Sequence, residues 1–175
     1  MILVLAAIAA MTSITPSLAT YTSAGMPTKT WAVRYSGIND NWKSLYDNAR
    51  TRWNNAQLNL QDIGVTISVS GSAASTVTAG NYTSQSWYGR YVPYGTRAGR
   101  TFLIQVNATS LYADAGDYYT TWVRSTMTHE FGHGLSLDDN PSTTQTSLMK
   151  HSRNRTNIGQ PQLYDRQDVI NIYGW

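Results

Sequence analysis

Two histidines and a glutamate are the residues of this chain best suited to chemistry. His129, Glu130 and His133 form the pattern H-E-x-x-H. Residues four apart lie on one face of a helix, so both imidazoles can bind a single metal ion. A glutamate beside them can hold and deprotonate a metal-bound water without binding the metal itself. The pattern therefore predicts a zinc site that activates water, with Glu130 as the general base.

A third protein ligand is needed, because catalytic zinc usually takes three protein ligands and keeps one position for water. Glu130 is the single glutamate of the chain, so no later glutamate can complete the site. Cysteine is absent, which excludes a thiolate ligand and a disulfide framework. The side chains beyond the motif that could serve are Asp138, Asp139, His151, Asp165 and Asp168.

The segment from His129 to Asp139, with the sequence HEFGHGLSLDD, resembles the extended zinc motif of the metzincin clan of peptidases. That motif is H-E-x-x-H-x-x-G-x-x-H, or the same with aspartate last in snapalysin-like members. The resemblance implies that Asp139 is the third zinc ligand. It also implies that Met149 lies as an apolar floor beneath the metal and does not bind it. Residues 164–174 resemble the last helix of bacterial matrixin-like proteases.

Two positions depart from the metzincin pattern. Ser136 stands where the family has a glycine, so a residue with a side chain must adopt the sharp turn toward the third ligand. His151 lies two residues after Met149, where it could be an additional ligand, a substitute for Asp139 or a hydrogen-bond donor to the transition state. Tyr164 or another tyrosine is a further candidate for the last role. We predict that Asp139 completes the site.

The resemblance also implies a fold and an activity. The fold is α+β, a metzincin-like zincin with a twisted mixed, mostly parallel sheet, two long helices and a small C-terminal subdomain ending in a helix. The active-site cleft is expected below an antiparallel edge strand, which we assign to residues 101–106. An extended peptide or protein substrate could add to that edge through main-chain hydrogen bonds. The implied activity is that of a zinc metalloendopeptidase, and we expect a monomer.

Hydrophobic periodicity predicts the elements that must position these residues. Alternating Trp31, Val33 and Tyr35 are typical of a half-buried strand. A helix is predicted from a cap at Asn39 or Asp40, because apolar residues recur at helical intervals as far as residue 56. The remaining pattern predicts strands at 63–69, 76–78 and 101–106, a strand or loop at 86–94, a loop at 108–116, a helix at 118–133 that ends at a left-handed Gly134, and a C-terminal helix capped by Asp165.

Length and charge restrict the possible functions. A chain of 175 residues is expected to form one domain with a real core. The formal net charge is +3, but the arginines are scattered, which argues against nucleic acid as a partner. The densest basic stretches are residues 90–100 and 150–155, and we interpret both as solvated loops.

The N-terminus predicts secretion. An apolar run over residues 2–11 precedes a small and polar stretch, in which Ser17 and Ala19 match the two key positions of a signal-peptidase site. This pattern predicts a signal peptide over residues 1–19 and a single catalytic domain over residues 20–175. Ten apolar residues are too few to cross a bilayer core of about 30 Å, so no stable membrane anchor is expected.

Two other functions fit the zinc motif. A catalytically silent zincin-like binding module would use the metal only to stabilise its fold. A zinc hydrolase could also act on a bond other than a peptide bond. The intact Glu130 favours an enzyme over the silent module. A calcium site has little support, because Asp114 and Asp117 are two carboxylates and calcium needs six or more oxygen ligands.

Overall fold

The computed structural model describes residues 21–175, so the predicted signal peptide lies outside the described residues. Strands and helices are mixed along the chain, which confirms the predicted α+β class. In order, the main elements are β1 (Thr30–Tyr35), α1 (Asp40–Asn54), β2 (Gln57–Leu58), β3 (Gln61–Asp62), β4 (Thr66–Val69), β5 (Thr76–Gly80), β6 (Gly89–Tyr94), β7 (Thr101–Asn107), α2 (Ala108–Ala115), α3 (Tyr119–Gly134) and α4 (Leu163–Tyr173).

The main sheet has five strands in the order β4-β1-β5-β7-β6. β1 pairs in parallel with β4 and β5, and β5 pairs in parallel with β7. Only the β6–β7 pair of this sheet is antiparallel. The assignment of residues 101–106 to the edge was therefore wrong, because β7 lies between two strands and β6 is the antiparallel edge. The buried side chains Phe102, Ile104 and Val106 fit this interior position.

The two long helices, α1 and α3, pack against each other and against the sheet. Asn39 caps α1 by accepting a hydrogen bond from the backbone N–H of Trp42 at 3.2 Å. Trp53 on α1 is fully buried, and its indole N–H donates to the carbonyl of Thr128 on α3 at 2.8 Å. On the other side of α3, Phe131 packs against the ring of Trp31 from β1. Helix α3 is thus enclosed between α1 and the sheet.

Residues 108–115 form α2, so the predicted loop at 108–116 was wrong. The side chain of Asn107 accepts hydrogen bonds from the backbone N–H groups of Thr109 and Ser110, which caps the new helix. Leu111 and Ala115, four residues apart, are buried on its inner face. The polar residues between them concealed this short amphipathic pattern. The basic stretch at residues 90–100, interpreted as a solvated loop, is only partly a loop, because Arg90 lies in β6 while Arg97 and Arg100 lie in the connection between β6 and β7.

The C-terminal segment after α3 contains an irregular stretch and then α4, as predicted. The N-cap of α4 is Gln162, and not Asp165 as predicted. Asp165 is the third residue of the helix, where its carboxylate accepts a hydrogen bond from the Gln162 backbone N–H in a capping box. Within residues 21–175, no helix has the length and hydropathy needed to span a bilayer.

Candidate metal centre

Helix α3 presents the H-E-x-x-H residues in its last turns, where the sequence predicted them. The side chain of His129 is 6% exposed and that of His133 is 13% exposed. Glu130 is also buried. The imidazole rings lie 4.8 Å apart between centroids, as expected for positions four apart on a helix. The helix therefore places both imidazoles on the same side.

Backbone carbonyls orient both imidazoles. Nδ1 of His129 lies 3.1 Å from the carbonyl oxygen of Leu148, and Nδ1 of His133 lies 2.9 Å from that of Leu137. A carbonyl only accepts, so in each neutral ring the proton is assigned to Nδ1 and the lone pair to Nε2. This is the tautomer that a metal-binding imidazole needs, and a fixed partner on the second nitrogen is typical of metal ligands.

The carboxylate of Asp139 meets these two lone pairs. Its Oδ1 lies 3.1 Å from Nε2 of His129 and 3.5 Å from Nε2 of His133. The ligand atoms of the three residues all lie within 4.8 Å of one another. Oδ1 is buried, and Nε2 of the more exposed His151 also lies near it, at 2.9 Å. The Nε2 lone pairs of His129 and His133 converge on this oxygen without a proton between them and are repelled by it, and a cation among the three atoms removes that repulsion. Two imidazoles and a carboxylate are a donor set that suits zinc.

The electrostatic environment favours the ligand forms of these residues. Burial lowers the pKa of His129 to about 3, and the nearby Arg153 acts in the same direction, so the imidazole is neutral. Burial acts to raise the pKa of the Asp139 carboxyl, but the neighbouring imidazoles hold it well below its ordinary value. Burial raises the pKa of Glu130 to about 8. A neutral imidazole and an ionised carboxylate are the states that bind metal.

His151 lies beside the cluster and differs from the other two histidines. Its side chain is 59% exposed, and its Nε2 is 2.9 Å from Oδ1 of Asp139. The amide oxygen of Asn140 accepts a hydrogen bond from the His151 backbone N–H, which leaves the Asn140 amide nitrogen facing Nδ1 of His151 at 3.2 Å. An amide nitrogen only donates, so Nδ1 is the acceptor and Nε2 carries the proton in the neutral ring. His151 therefore presents a donor to this site.

Met149 lies against α3 at the position of the predicted turn. Its side chain is 1% exposed. A Cβ atom at Gly132 would lie 2.6 Å from the Met149 sulfur, so the methionine fits only because position 132 has no side chain. The apolar floor expected at Met149 is therefore a close-packed contact with the helix that carries both histidines.

Helix α4 fixes the turn that orients His129. The two oxygens of Asp165 accept hydrogen bonds from the Ser147 hydroxyl at 2.6 Å and from the Leu148 backbone N–H at 2.8 Å. The carbonyl of Leu148 is the group that faces Nδ1 of His129. Helix α4 thus acts through Leu148 to orient one imidazole of the candidate metal site. Such supporting partners tune both the orientation and the basicity of the imidazole.

The other candidates from the sequence lie elsewhere. Asp138 lines the cleft but is exposed, and it accepts a hydrogen bond from the backbone N–H of Asp139. Asp165 is engaged as described, and Asp168 is buried on α4. Tyr164 does not line the cleft. Asp114 accepts a hydrogen bond from the Tyr88 hydroxyl at 2.7 Å.

The turn toward Asp139 contains the left-handed residue that was predicted at Gly134. Gly134 remains helical and packs on Trp31, while Ser136 has a φ of 63°. The Ser136 hydroxyl accepts a hydrogen bond from Arg97 at 2.9 Å and lies 2.8 Å from the Tyr173 hydroxyl. These contacts hold a residue with a side chain in a conformation that usually favours glycine.

Replacing Ser136 is expected to separate the stabilisation by its hydroxyl contacts from the strain of its positive φ. Ser136→Ala loses both hydroxyl contacts and keeps the unfavourable φ, so it should lower the free energy of unfolding by about 2 kcal/mol. Ser136→Gly loses the same contacts but relieves a strain of about 1 kcal/mol, so it should be the milder change. Urea unfolding with an unchanged m-value measures both. An alanine variant as stable as the glycine variant would contradict a strained turn.

An open cleft of about 540 Å³ lies over the cluster and is bordered by β6. A Cβ atom at Gly89, the first residue of β6, would lie 2.5 Å from Oε1 of Glu130, so the edge strand directly contacts this carboxylate. The ring of Tyr91 lies 6.0 Å from that of His133. Arg153 and Arg155 also line the cleft, although residues 150–155 were interpreted as a solvated loop. No sequence signal marked these four residues, because their role depends on how β6 and the C-terminal segment meet.

Comparisons with solved structures identify the fold. The GM1-bound ECX AB5 holotoxin has a chain with a TM-score of 0.59 and 12% identity, over 82% of this chain and 80% of that one. Myroilysin matches with a TM-score of 0.55 and 16% identity, over 90% of this chain and 98% of its own. Archaemetzincin from Methanopyrus kandleri matches with a TM-score of 0.49 and 13% identity, over 82% of this chain and 94% of its own. No protein-family description matches the sequence, and neither does any curated protein. The chain has a metzincin-like fold.

Proposed function

We propose that this protein is a zinc-dependent endopeptidase of the metzincin type, with Asp139 as the third ligand as in snapalysin-like members. The convergence of His129 Nε2, His133 Nε2 and Asp139 Oδ1 is the observation that carries the proposal. The metzincin-like fold supports it. Zinc bound there would acidify a water molecule and polarise the scissile carbonyl.

Glu130 is proposed to move the proton. Its carboxylate is buried beside the ligands, its Oε2 has no hydrogen-bond partner among the described residues, and its Oε1 faces Gly89 at the start of β6. Glu130 accepts a proton from water and then gives it to the leaving amine of the substrate. His151 lines the cleft with a side chain that is 59% exposed, and we propose that its Nε2–H turns from Asp139 to donate a hydrogen bond to the developing oxyanion.

The edge strand β6 supports an extended peptide substrate. It is the last strand of the sheet, and Gly89, Tyr91 and Pro93 all line the cleft. A peptide laid along this strand could pair with its free backbone groups and bring one carbonyl over the metal-ligand cluster. A strand carrying Pro93 is suited to an edge position, because proline cannot donate a ladder hydrogen bond. This arrangement favours a peptide substrate over a small ester or amide.

Secretion is part of the proposal. The predicted signal peptide over residues 1–19 supports it, with the catalytic domain over residues 20–175. We propose that the released domain acts as a monomer outside the cell. Mass spectrometry of the protein from a secreting host would locate the N-terminus, and a start other than Thr20 would contradict cleavage after Ala19.

Metal dependence tests the function. The purified protein is expected to hold about one zinc ion and to cleave an unfolded protein, and a chelator should abolish cleavage until zinc is restored. Elemental analysis and a gel-based cleavage assay measure both. A zinc-binding protein that cleaves no peptide bond would support the silent binding module or the non-peptide hydrolase. Full cleavage by zinc-free protein would exclude the proposed mechanism.

A further inference from the structure

Arg153 is a buried cation next to the metal-ligand cluster. Only 7% of its surface is exposed. Its Nε donates to the Ser125 hydroxyl at 3.3 Å, and its Nη1 donates to the carbonyl of Lys150 at 3.0 Å. Both acceptors are neutral. No hydrogen bond from its Nη2 is seen within residues 21–175, and the residue lines the cleft. One end of this guanidinium is therefore held in place while the other end remains available.

Arg155 lies on the same side of the cleft and is also incompletely bonded. Its guanidinium carbon is 4.8 Å from the centre of the Tyr88 ring and 5.6 Å from that of Trp122. Its Nη1 donates to the carbonyl of His151 at 3.3 Å, while its Nε is buried without a partner. The guanidinium thus packs against two aromatic rings. A planar guanidinium held in this way has donors ready for a second planar group.

Neither arginine takes part in the salt bridges seen within residues 21–175, and the hydrogen bonds seen from their side chains there go to neutral oxygens. The salt bridges seen between arginine or lysine and a carboxylate in residues 21–175 are Lys43–Asp40 and Arg50–Asp47, both far along the chain from this cleft. The charge of Glu130 acts on both arginines, and those of Asp139 and Asp165 also act on Arg153. Glu130 faces Gly89 and is proposed to transfer the proton, Asp139 belongs to the metal-ligand cluster, and Asp165 is bonded to Ser147 and Leu148. A buried arginine is costly unless an anion pairs with it. The anion is therefore expected to come from outside the chain.

We infer that Arg153 and Arg155 form a subsite that binds a carboxylate of the substrate close to the scissile bond. This inference rests on the proposed peptidase function and adds a preference that the metal centre does not impose. The carboxylate has two chemical sources, an Asp or Glu side chain or the free C-terminus of a peptide. Either would accept hydrogen bonds from Arg153 Nη2 and from the free donors of Arg155, replacing water in a partly enclosed site.

The test uses the zinc-loaded protein and quenched peptides of one parent sequence. Peptides blocked at both ends carry Glu, Gln, Leu or Lys at each position flanking the scissile bond. A second set has neutral side chains and ends shortly after the scissile bond, with either a free carboxylate or an amide. We expect kcat/KM to be about tenfold or more higher for Glu than for Gln at one position, or for the free acid than for the amide, as for a charge-assisted hydrogen bond. The peptide set that shows this difference identifies whether the carboxylate is a side chain or a free C-terminus.

Arg155→Gln tests the subsite in the protein, because the partly exposed Arg155 is easier to replace than the buried Arg153. The measured quantity is the ratio of kcat/KM between the acidic and neutral peptides, so a general loss of activity cancels. The ratio should fall to below about threefold in Arg155→Gln, whereas Arg155→Lys should keep part of it. Arg34→Gln is the matched control, since Arg34 is exposed on β1 and does not line the cleft. Its ratio should equal that of the unchanged protein.

The outcomes separate this inference from the proposed function. Efficient cleavage with equal rates for Glu, Gln, free-acid and amide peptides would overturn the subsite and leave the peptidase intact. An equal loss of the ratio in Arg34→Gln and Arg155→Gln would also overturn it, since the effect would then come from net charge. If no peptide is cleaved, the peptidase proposal fails. In that event the binding of the same labelled peptides is measured by fluorescence anisotropy. The subsite requires the carboxylate peptide to bind about tenfold more tightly than its neutral counterpart, and equal affinities would overturn it.

Discussion

Replacing Glu130 with glutamine is expected to leave the zinc content unchanged and to slow peptide hydrolysis by at least about a hundredfold. Glutamine keeps the shape of the buried side chain and its fit against Gly89, but it cannot accept a proton. The candidate metal-ligand cluster comprises His129, His133 and Asp139 and does not include Glu130. Metal binding and catalysis should therefore separate in this variant.

The measurement combines zinc analysis with kcat/KM on one peptide, and thermal unfolding provides the control for folding. The burial that raises the pKa of Glu130 acts in the chain without metal. A nearby cation favours the ionised carboxylate, which is the form that accepts a proton. Loss of zinc in Glu130→Gln would show that Glu130 is a ligand. Activity within a few fold of the unchanged protein would transfer the role of base to another group.

The sequence was sufficient for the elements whose pattern has a single interpretation. β1 alternates strictly, and α1 has both a cap at Asn39 and apolar residues at helical spacing, so both were predicted at their observed positions. The histidine spacing also required no tertiary knowledge, because a helix alone brings His129 and His133 together. Asp139 needed the resemblance to metzincins, since four other side chains were equally available to a third ligand.

The edge of the sheet could not be predicted from local pattern. β7 is strongly apolar and was taken for the edge, yet continuous apolar character is typical of a strand that is buried on both sides. β6 contains Arg90 and Pro93 and alternates poorly, which concealed an edge strand. The border of the cleft was therefore assigned to the wrong strand, although the antiparallel pairing itself was expected.

Long-range contacts explain the remaining errors. The left-handed position was assigned to Gly134 because glycine adopts that conformation most readily. In the structure Gly134 is needed for its missing side chain, since a Cβ there would lie 3.0 Å from the Trp31 ring. Ser136 takes the left-handed position instead, held by Arg97 and Tyr173 from distant segments. Arg153 likewise is buried by α3, which a count of charges along the chain cannot reveal.

Asp139→Asn is expected to weaken zinc binding by more than a hundredfold, which exceeds the 10- to 100-fold loss that is typical of a supporting residue. The neutral amide keeps the size of the side chain but removes the charge and one of the two oxygens. Asp138→Asn is the matched control, because Asp138 adjoins Asp139 and its side-chain oxygen can still accept the same backbone hydrogen bond after the change. The control should bind zinc as the unchanged protein does. Competition with a chromogenic chelator measures all three affinities.

The same titration decides between Asp139 and His151. The Asn140 amide leaves His151 with its proton on Nε2, the nitrogen that faces Asp139, so this imidazole must change tautomer and lose that contact before it can bind zinc. His129 and His133 need no such change, because carbonyls already hold their protons on Nδ1. His151→Ala should therefore retain zinc within about a hundredfold and lower mainly kcat. A hundredfold or greater loss of zinc affinity in His151→Ala, with little loss in Asp139→Asn, would reverse the assignment and leave the two-histidine core of the site unchanged.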